Sequence, residues 1–100
     1  MNIAFDYDKT ISRDPFLFVS LMETFCDYGH RCYVVTGRKR DLFEGDMDWL
    51  HKQSCITGVF CTDWKAKKPY MLAQGIEIDI WIDDQPWAVT EDYDPEKERK

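Results

Sequence analysis

The sequence predicts an α/β fold in which strands of a parallel sheet alternate with helices. Short apolar runs recur along the chain, and each is closed by a cluster of polar residues, which is typical of a buried strand. Longer segments with apolar residues at helical spacing lie between these runs. Strands that alternate with helices imply parallel pairing through right-handed crossovers. At 100 residues, the chain is long enough for one such domain with a modest core.

The first strand is predicted over the apolar run Ile3–Phe5, which is followed by two carboxylates, Asp6 and Asp8, and then by Thr10. Ligands of open α/β sheets bind beyond the carboxyl ends of the strands. Two acids at such a position repel each other unless a cation or a proton shares the site. The start of the chain therefore has the composition of half a metal site. An Asx turn or a helix cap is the alternative without chemistry.

The first helix is predicted to begin near Pro15, because Ser12 or Asp14 can cap it and proline suits the first helical position. Apolar residues repeat at roughly helical spacing after this point. The helix is predicted to end by Tyr28, with Gly29 as its stop.

The rest of the chain continues the alternation of strands and helices. Residues 41–53 can form an amphipathic helix interrupted by Gly45, and residues 67–74 predict a helix with Pro69 in its first turn and Gly75 as its stop. Three further strands are predicted: Cys32–Val35, Val59–Cys61 and Ile78–Ile82.

The bulk composition indicates a folded protein and limits its partners. Hydrophobic residues make up 44% of the chain, which suits a globular domain and not a disordered one. A net charge of −6 argues against extended nucleic-acid binding, which needs clustered Lys and Arg. No apolar run reaches the length of a membrane span and no signal peptide is recognised, so we expect no membrane association and a cytoplasmic location. The domain is expected over 1–90, with a charged tail over 91–100.

The four cysteines contain no C-x-x-C pair and are interpreted as reduced, half-buried thiols of a cytoplasmic protein. The alternative is a zinc site on Cys26, His30 and Cys32. The spacing of these three residues differs from known zinc-finger patterns.

Polar residues follow all four predicted strands, and the carboxyl ends of parallel strands meet at one edge of a sheet. Several carboxylates in one place suit a hard cation with oxygen ligands, for which Mg2+ is the common choice. A hydroxyl, backbone N–H groups at a glycine turn and a lysine can hold phosphate oxygens. One carboxylate can attack phosphorus, and a second can transfer protons. The residues concerned are Asp6, Asp8, Thr10, Thr36, Gly37, Arg38, Thr62, Asp63, Lys65, Lys67, Lys68, Asp83 and Asp84.

These residues resemble the signature motifs of the haloacid dehalogenase superfamily of phosphohydrolases. Asp6-Tyr-Asp-Lys-Thr10 is similar to the first motif, D-x-D-x-T after an apolar strand. Val34–Arg38 is similar to the second, a strand that ends in Thr or Ser, and Asp83-Asp84 resembles the double-aspartate form of the fourth. The third is represented by a lysine near a helix start. The resemblance covers roughly residues 1–88 and implies a Rossmann-like, three-layer α/β/α fold with a central parallel sheet.

The resemblance implies a Mg2+-dependent phosphomonoester hydrolase, or phosphatase, that works through an aspartyl-phosphate intermediate. Asp6 would be the nucleophile and a metal ligand. Asp8 would be the general acid/base, and its backbone carbonyl would contact the metal. Asp84 would bind the metal directly, with Asp83 orienting it or a bound water. Thr36 would bind the phosphoryl group.

The remaining positions receive more open assignments. Gly37 and Arg38 are expected to help bind substrate, although a soluble loop is the alternative for the run Arg38–Arg40. The active-site lysine is one of three candidates, and Lys67 is favoured over Lys65 and Lys68 because a helix is predicted to begin immediately after it. Thr10 is expected to support the turn after the first strand.

The spacing of the motifs leaves no room for a cap domain. Three residues, Ile11–Arg13, separate the first motif from its helix, and residues 38–58 fit one helix and loops. The resemblance to a capless member implies an open site that admits phosphorylated small molecules, nucleotides or a phosphorylated nucleic-acid end. Such a site can also be completed by a second subunit, and the aromatic residues can supply a homo-oligomeric interface.

Two other functions use similar residues. A phospho-receiver domain also combines paired acids, an acceptor Asp, a Thr and a Lys on a parallel sheet, but its acceptor comes in the middle of the chain. Asp63 is the residue that this alternative would nominate. The other alternative is a catalytically inactive module that binds metal and phosphate without turnover.

Overall fold

The protein is described by a computed structural model over residues 1–39 and 45–92. In this part of the chain four strands form one sheet: β1 (Asn2–Phe5), β2 (Arg31–Thr36), β3 (Ile56–Cys61) and β4 (Ile80–Ile82). Their spatial order is β3-β2-β1-β4, and each neighbouring pair runs parallel. The predicted α/β class with a parallel sheet is therefore confirmed.

The helices of the described residues are short, apart from the first. They comprise α1 (Pro15–Asp27), α2 (Lys67–Ala73), α3 (Trp87–Thr90) and two 3-10 turns at Ile11–Arg13 and Asp48–Lys52. None of these helices is long and apolar enough to cross a membrane. The predicted helix over 41–53 falls partly outside the described residues. Its described part holds the 3-10 turn instead of an α-helix, and α3 had no sequence prediction.

Helix α1 begins and ends as its sequence predicts. The Asp14 side chain accepts a hydrogen bond from the backbone N–H of Leu17 at 3.2 Å, and Pro15 occupies the first helical position. Gly29 follows the helix with φ of +87°, a left-handed conformation that favours glycine. This stop turns the chain directly into β2.

Alternate residues of β1 and β2 pack into separate apolar clusters on the two faces of the sheet. Ile3 and Phe5 belong to the cluster that contains α1, whereas Ala4 belongs to the cluster that contains α2. The same alternation separates Val34 from Val35 in β2. Helices α1 and α2 therefore cover opposite faces, which explains why these strands are apolar at consecutive positions.

Two strand boundaries differ from the predicted ones. Strand β3 begins at Ile56, earlier than the predicted start at Val59. A register shift against β2 accommodates the threonine and the glycine that lie between these two positions. Strand β4 begins at Ile80 and not at Ile78, because Asp79 uses both its backbone and its side chain to hold the first strand. Its N–H donates to the Asn2 carbonyl, and its carboxylate accepts from the Asn2 N–H, each at 2.8 Å.

Candidate active site

The carboxyl edge of the sheet carries a cavity of about 220 Å3. Its lining draws on the ends of β1, β2 and β4 and on the start of α2. Every residue that the sequence analysis placed in the catalytic, substrate or metal set lines this cavity. These residues are Asp6, Asp8, Thr36, Gly37, Arg38, Lys67, Asp83 and Asp84.

Lys67 lies at the centre of the buried part of the site. Its Nζ donates to Asp6 Oδ1 at 2.9 Å and to Asp83 Oδ2 at 2.5 Å, and its side chain is 3% exposed. A buried ammonium requires such partners because desolvation without pairing is costly. The other two candidate lysines are exposed, and Lys65 lies 3.9 Å from Asp92. The geometry therefore separates Lys67 from Lys65 and Lys68.

The loop after β3 delivers Lys67 to this position. Thr62 is fully buried, and its hydroxyl donates to the Lys65 carbonyl at 2.8 Å. The N–H of Ala66 donates to Asp92 Oδ1 at 2.8 Å, just before α2 begins. These contacts make Lys67 the first helical residue, so its side chain enters the cavity from the base of α2.

Three carboxylates form a group that can hold a metal ion. One oxygen from each of Asp6, Asp83 and Asp84 lies within 4.8 Å of the others. This is an all-oxygen donor set with two buried or half-buried members and an exposed third, Asp84. Hard divalent cations such as Mg2+ favour carboxylate ligands and keep some of their water, so the donor chemistry fits.

Thr10 contacts Asp84 as well as the turn that follows β1. Its N–H donates to the Tyr7 carbonyl at 3.2 Å, which agrees with the expected support of the turn. Its hydroxyl also lies 3.4 Å from Asp84 Oδ1, as a donor. The sequence prediction did not include this second contact, which joins the first and last motifs.

Burial is the main influence on the pKa of Asp6. The pKa of this carboxyl is raised to about 7, mainly by desolvation and also by the negative charge of Asp83 and a hydrogen bond shared with Asp84. The nearby ammonium of Lys67 acts in the opposite direction and offsets part of the rise. Asp6 therefore needs additional positive charge in order to be a carboxylate throughout the neutral range.

Asp8 points away from this carboxylate group and binds Arg38. Arg38 Nε donates to Asp8 Oδ2 at 2.8 Å, and Nη2 donates to Oδ1 at 2.6 Å. The same guanidinium donates twice to Asp46, at 2.6 and 2.8 Å. The hydrogen bonds that Arg38 donates to Asp8 and Asp46 raise the pKa of Arg38 and lower the pKa of Asp46. The side chain of Asp8 thus lies outside the metal group, and a metal contact through its carbonyl stays a prediction.

An aromatic support beneath Arg38 had no sequence prediction. The guanidinium carbon lies 5.5 Å from the centre of the Tyr7 ring. The Tyr7 hydroxyl donates to the Asp46 carbonyl at 3.0 Å and accepts from Trp49 Nε1 at 3.1 Å. Tyr7 occupies the middle position of the Asp-x-Asp pair, where the motif accepts any residue type. The large size of its side chain was therefore the only feature of the sequence that could have indicated a role. Arg40, the end of the basic run, lies outside the described residues.

The end of β2 contributes a hydroxyl and an open backbone turn. Thr36 is 1% exposed, and its Oγ1 accepts from the Arg38 N–H at 3.4 Å. A Cβ placed on Gly37 would meet no atom within 4 Å. The backbone here therefore borders free space on the cavity side, as a turn that holds phosphate oxygens requires.

The cysteines and His30 do not form a metal site within residues 1–39 and 45–92. Only the aspartate group meets the geometric requirement for shared ligation there. His30 Nδ1 lies 2.8 Å from the Met1 nitrogen, and its ring packs edge-on against Phe25. Burial and the neighbouring Cys26 raise the pKa of Cys32 to about 12, which keeps it a thiol. All four cysteines are free.

Comparisons of the chain with protein-family models, with curated proteins and with solved structures find no match. The resemblance to the haloacid dehalogenase superfamily therefore rests on the motif residues alone.

Proposed function

We propose that this chain is a Mg2+-dependent phosphomonoester hydrolase that acts through an aspartyl-phosphate on Asp6. The observation that carries the proposal is the position of Lys67, whose buried ammonium bridges Asp6 and Asp83 at 2.9 and 2.5 Å. A salt bridge alone does not need a third carboxylate beside it. Here Asp84 completes a group of three acids that one lysine cannot neutralise.

In the proposed first step, an Asp6 oxygen attacks the phosphorus of a phosphomonoester. The P–O bond to the leaving group breaks as the Asp6–phosphorus bond forms, and Asp8 donates a proton to the departing oxygen. Thr36, the Gly37 turn and Lys67 are placed around the cavity to bind the phosphoryl oxygens. When bound, Mg2+ supplies positive charge that favours ionised Asp6 and offsets charge on the phosphoryl group.

In the proposed second step, Asp8 accepts a proton from water, and the hydroxide formed attacks the phosphorus. The bond to Asp6 breaks, inorganic phosphate leaves and the Asp6 carboxylate is restored. The double contact from Arg38 orients the Asp8 side chain for this step. Proton donation in the first step requires that contact to loosen, and an incoming phosphate is the natural competitor for Arg38.

The proposal extends to the finer fold and to the location. The parallel sheet with α1 and α2 on opposite faces supports a Rossmann-like, three-layer haloacid dehalogenase fold without a cap. Phosphorylated small molecules and nucleotides are the proposed substrates, in the cytoplasm. Asp63, the acceptor that a receiver domain would use, is exposed and does not line the cavity. No observation favours that alternative.

The test is hydrolysis of an aryl phosphate such as p-nitrophenyl phosphate, with and without Mg2+. The wild type is expected to be active only with the metal, and Asp6→Asn is expected to be inactive. Asp27→Asn is the matched control, because it removes an equal charge from the exposed end of α1. Activity that survives in Asp6→Asn, or that does not need the metal, would refute the mechanism. Tight binding of phosphate without turnover would favour the inactive binding module.

A further inference from the structure

Trp64 lies at the rim of the cavity and is absent from the set that the sequence analysis selected. The residue lines the same space as Asp6, Thr36 and Lys67, and it is 39% exposed. An indole is a costly residue to leave in contact with water unless its face is used. Its position places an aromatic surface beside the proposed phosphoryl site.

The backbone holds Trp64 in an unfavourable conformation. Trp64 has φ of +68° and Asp63 has φ of +53°, which are left-handed conformations that residues other than glycine adopt at a steric cost. Three hydrogen bonds maintain this loop against the end of β2. The N–H groups of Thr62, Asp63 and Trp64 donate to the carbonyls of Thr36, Arg38 and Gly37, at 2.9, 3.2 and 2.9 Å. The turn that would hold phosphate and the loop that carries the indole are therefore one connected unit.

Positive charge surrounds the indole. Lys39 Nζ lies 4.6 Å from the centre of the Trp64 ring, within the range of a cation–π contact. Lys65 lines the cavity on the next position along the chain. A ligand that is both a flat ring and an anion suits this position, because its ring can stack on the indole opposite the Lys39 ammonium or in its place, and its charge can meet the ammonium groups of Lys39 and Lys65.

We propose that Trp64 is the stacking surface for the base of a nucleoside monophosphate, and that this is the substrate class of the site. This inference rests on the proposed function for the binding of the phosphate group, and it adds a binding surface for the base at the other end of the ligand. A sugar phosphate would use the phosphoryl site alone. A net charge of −6 favours a mononucleotide over a long polynucleotide.

The test compares two substrates that differ only in the base. Adenosine 5′-monophosphate and ribose 5-phosphate share the sugar and the reacting phosphate ester. The wild type is expected to have a kcat/KM at least tenfold higher for the nucleotide, since stacking of a base on an aromatic side chain is worth about that factor or more. Trp64→Gly should reduce this ratio about tenfold, and Trp64→Phe should largely retain it.

The glycine variant is chosen because glycine adopts a positive φ without steric cost. The substitution removes the ring and lets the loop keep its conformation. If the variant still unfolds cooperatively, a loss of selectivity for the nucleotide over ribose 5-phosphate can therefore be assigned to the missing indole. Phe16→Ala is the matched control, because Phe16 is 88% exposed and does not line the cavity. This control should change neither the ratio nor the activity.

Binding to Asp6→Asn, measured by calorimetry with the same two ligands, separates this inference from the proposed function. If the wild type hydrolyses neither substrate while Asp6→Asn still binds the nucleotide more tightly than ribose 5-phosphate, and Asp6→Asn/Trp64→Gly loses this preference, the hydrolase is refuted and the stacking site is supported. Hydrolysis with equal kcat/KM for both substrates, or an equal loss for both in Trp64→Gly, would overturn the stacking site. A 5′-phosphorylated oligonucleotide preferred over the mononucleotide would overturn the assignment to monomers.

Discussion

Arg38 holds both carboxylate oxygens of Asp8, with Nε–Oδ2 and Nη2–Oδ1 distances of 2.8 and 2.6 Å. A guanidinium that meets a carboxylate along two parallel hydrogen bonds sets the orientation of that carboxylate. Asp46 holds the opposite side of the same guanidinium, and the Tyr7 ring lies beneath it. The proposed proton carrier is therefore oriented by a residue that was expected from the sequence to help bind substrate.

The first prediction concerns this pair. Arg38→Lys keeps the charge but loses the two-pronged contact, so Asp8 should become less well oriented. We expect kcat for an aryl phosphate to fall about tenfold, with a smaller change in KM. Asp46→Asn is the control, because it alters the second partner of Arg38 and leaves Asp8 in place. A rise in KM with unchanged kcat would show instead that Arg38 binds substrate.

The second prediction is that Lys67→Met destabilises the fold. The substitution leaves Asp6 and Asp83 without their cation, and removal of one partner from a buried ion pair typically costs about 3–5 kcal/mol. The free energy of unfolding, measured by urea denaturation at pH 8, should fall by about that amount. Lys68→Met is the matched control, because Lys68 is exposed and its loss should cost less than about 0.5 kcal/mol. Equal effects of the two variants would contradict the buried role of Lys67.

The third prediction follows from the raised pKa of Asp6, about 7 in the folded chain against 3.8 as its ordinary value. Between these values the native state binds a proton that the unfolded chain has released, so the contribution of Asp6 to stability decreases as pH rises. That contribution is complete below about pH 4 and lost above about pH 7. Without metal, Asp6→Asn should therefore be more stable than wild type at pH 8 by about 1–4 kcal/mol.

The same comparison at pH 4 supplies the control, because protonated Asp6 and asparagine are both neutral there. The advantage of Asp6→Asn should shrink to near zero in urea denaturation at that pH. An advantage that is independent of pH would assign the effect to packing and not to charge.

The fourth prediction concerns the divalent cation. Mg2+ at 100 times its dissociation constant should stabilise the native state by about 2.7 kcal/mol, which is measurable as a rise in Tm. The rise should be larger at pH 8 than at pH 5.5, because the ion and a proton compete for Asp6. Asp84→Asn should remove most of the effect, and Asp27→Asn should remove none. A rise in Tm that is the same in all variants would indicate nonspecific binding of the ion.

The sequence predicts the parts of the site that depend on strand ends, and the reason is geometric. Asp6, Thr36 and Asp83 each follow an apolar run, and parallel strands bring such positions to one edge whatever the loops do. Lys67 could be preferred over its neighbours because Pro69 marks the first turn of a helix, and α2 begins where this predicts. These inferences use only local signals and the rule of parallel pairing.

Contacts between distant side chains have no such local signal. The pairing of Arg38 with Asp46 depends on how the chain returns after β2, and the contact of Thr10 with Asp84 depends on the packing of β4 against β1. The left-handed backbone of Trp64 is unpredictable for another reason. Residue preferences disfavour it, and hydrogen bonds to the end of β2 help to maintain it.

Among residues 1–39 and 45–92, the three-residue strand β4 lies at an edge of the sheet and pairs with β1 alone. Such a strand is the segment most easily detached by local opening, well before the whole domain unfolds. Asp84 would leave with it, while Asp6 would stay on β1. Any ion or phosphoryl group that joins these two acids therefore holds β4 against β1, and the protection of the β4 amide hydrogens against exchange with solvent should rise with the ratio of ligand concentration to its dissociation constant.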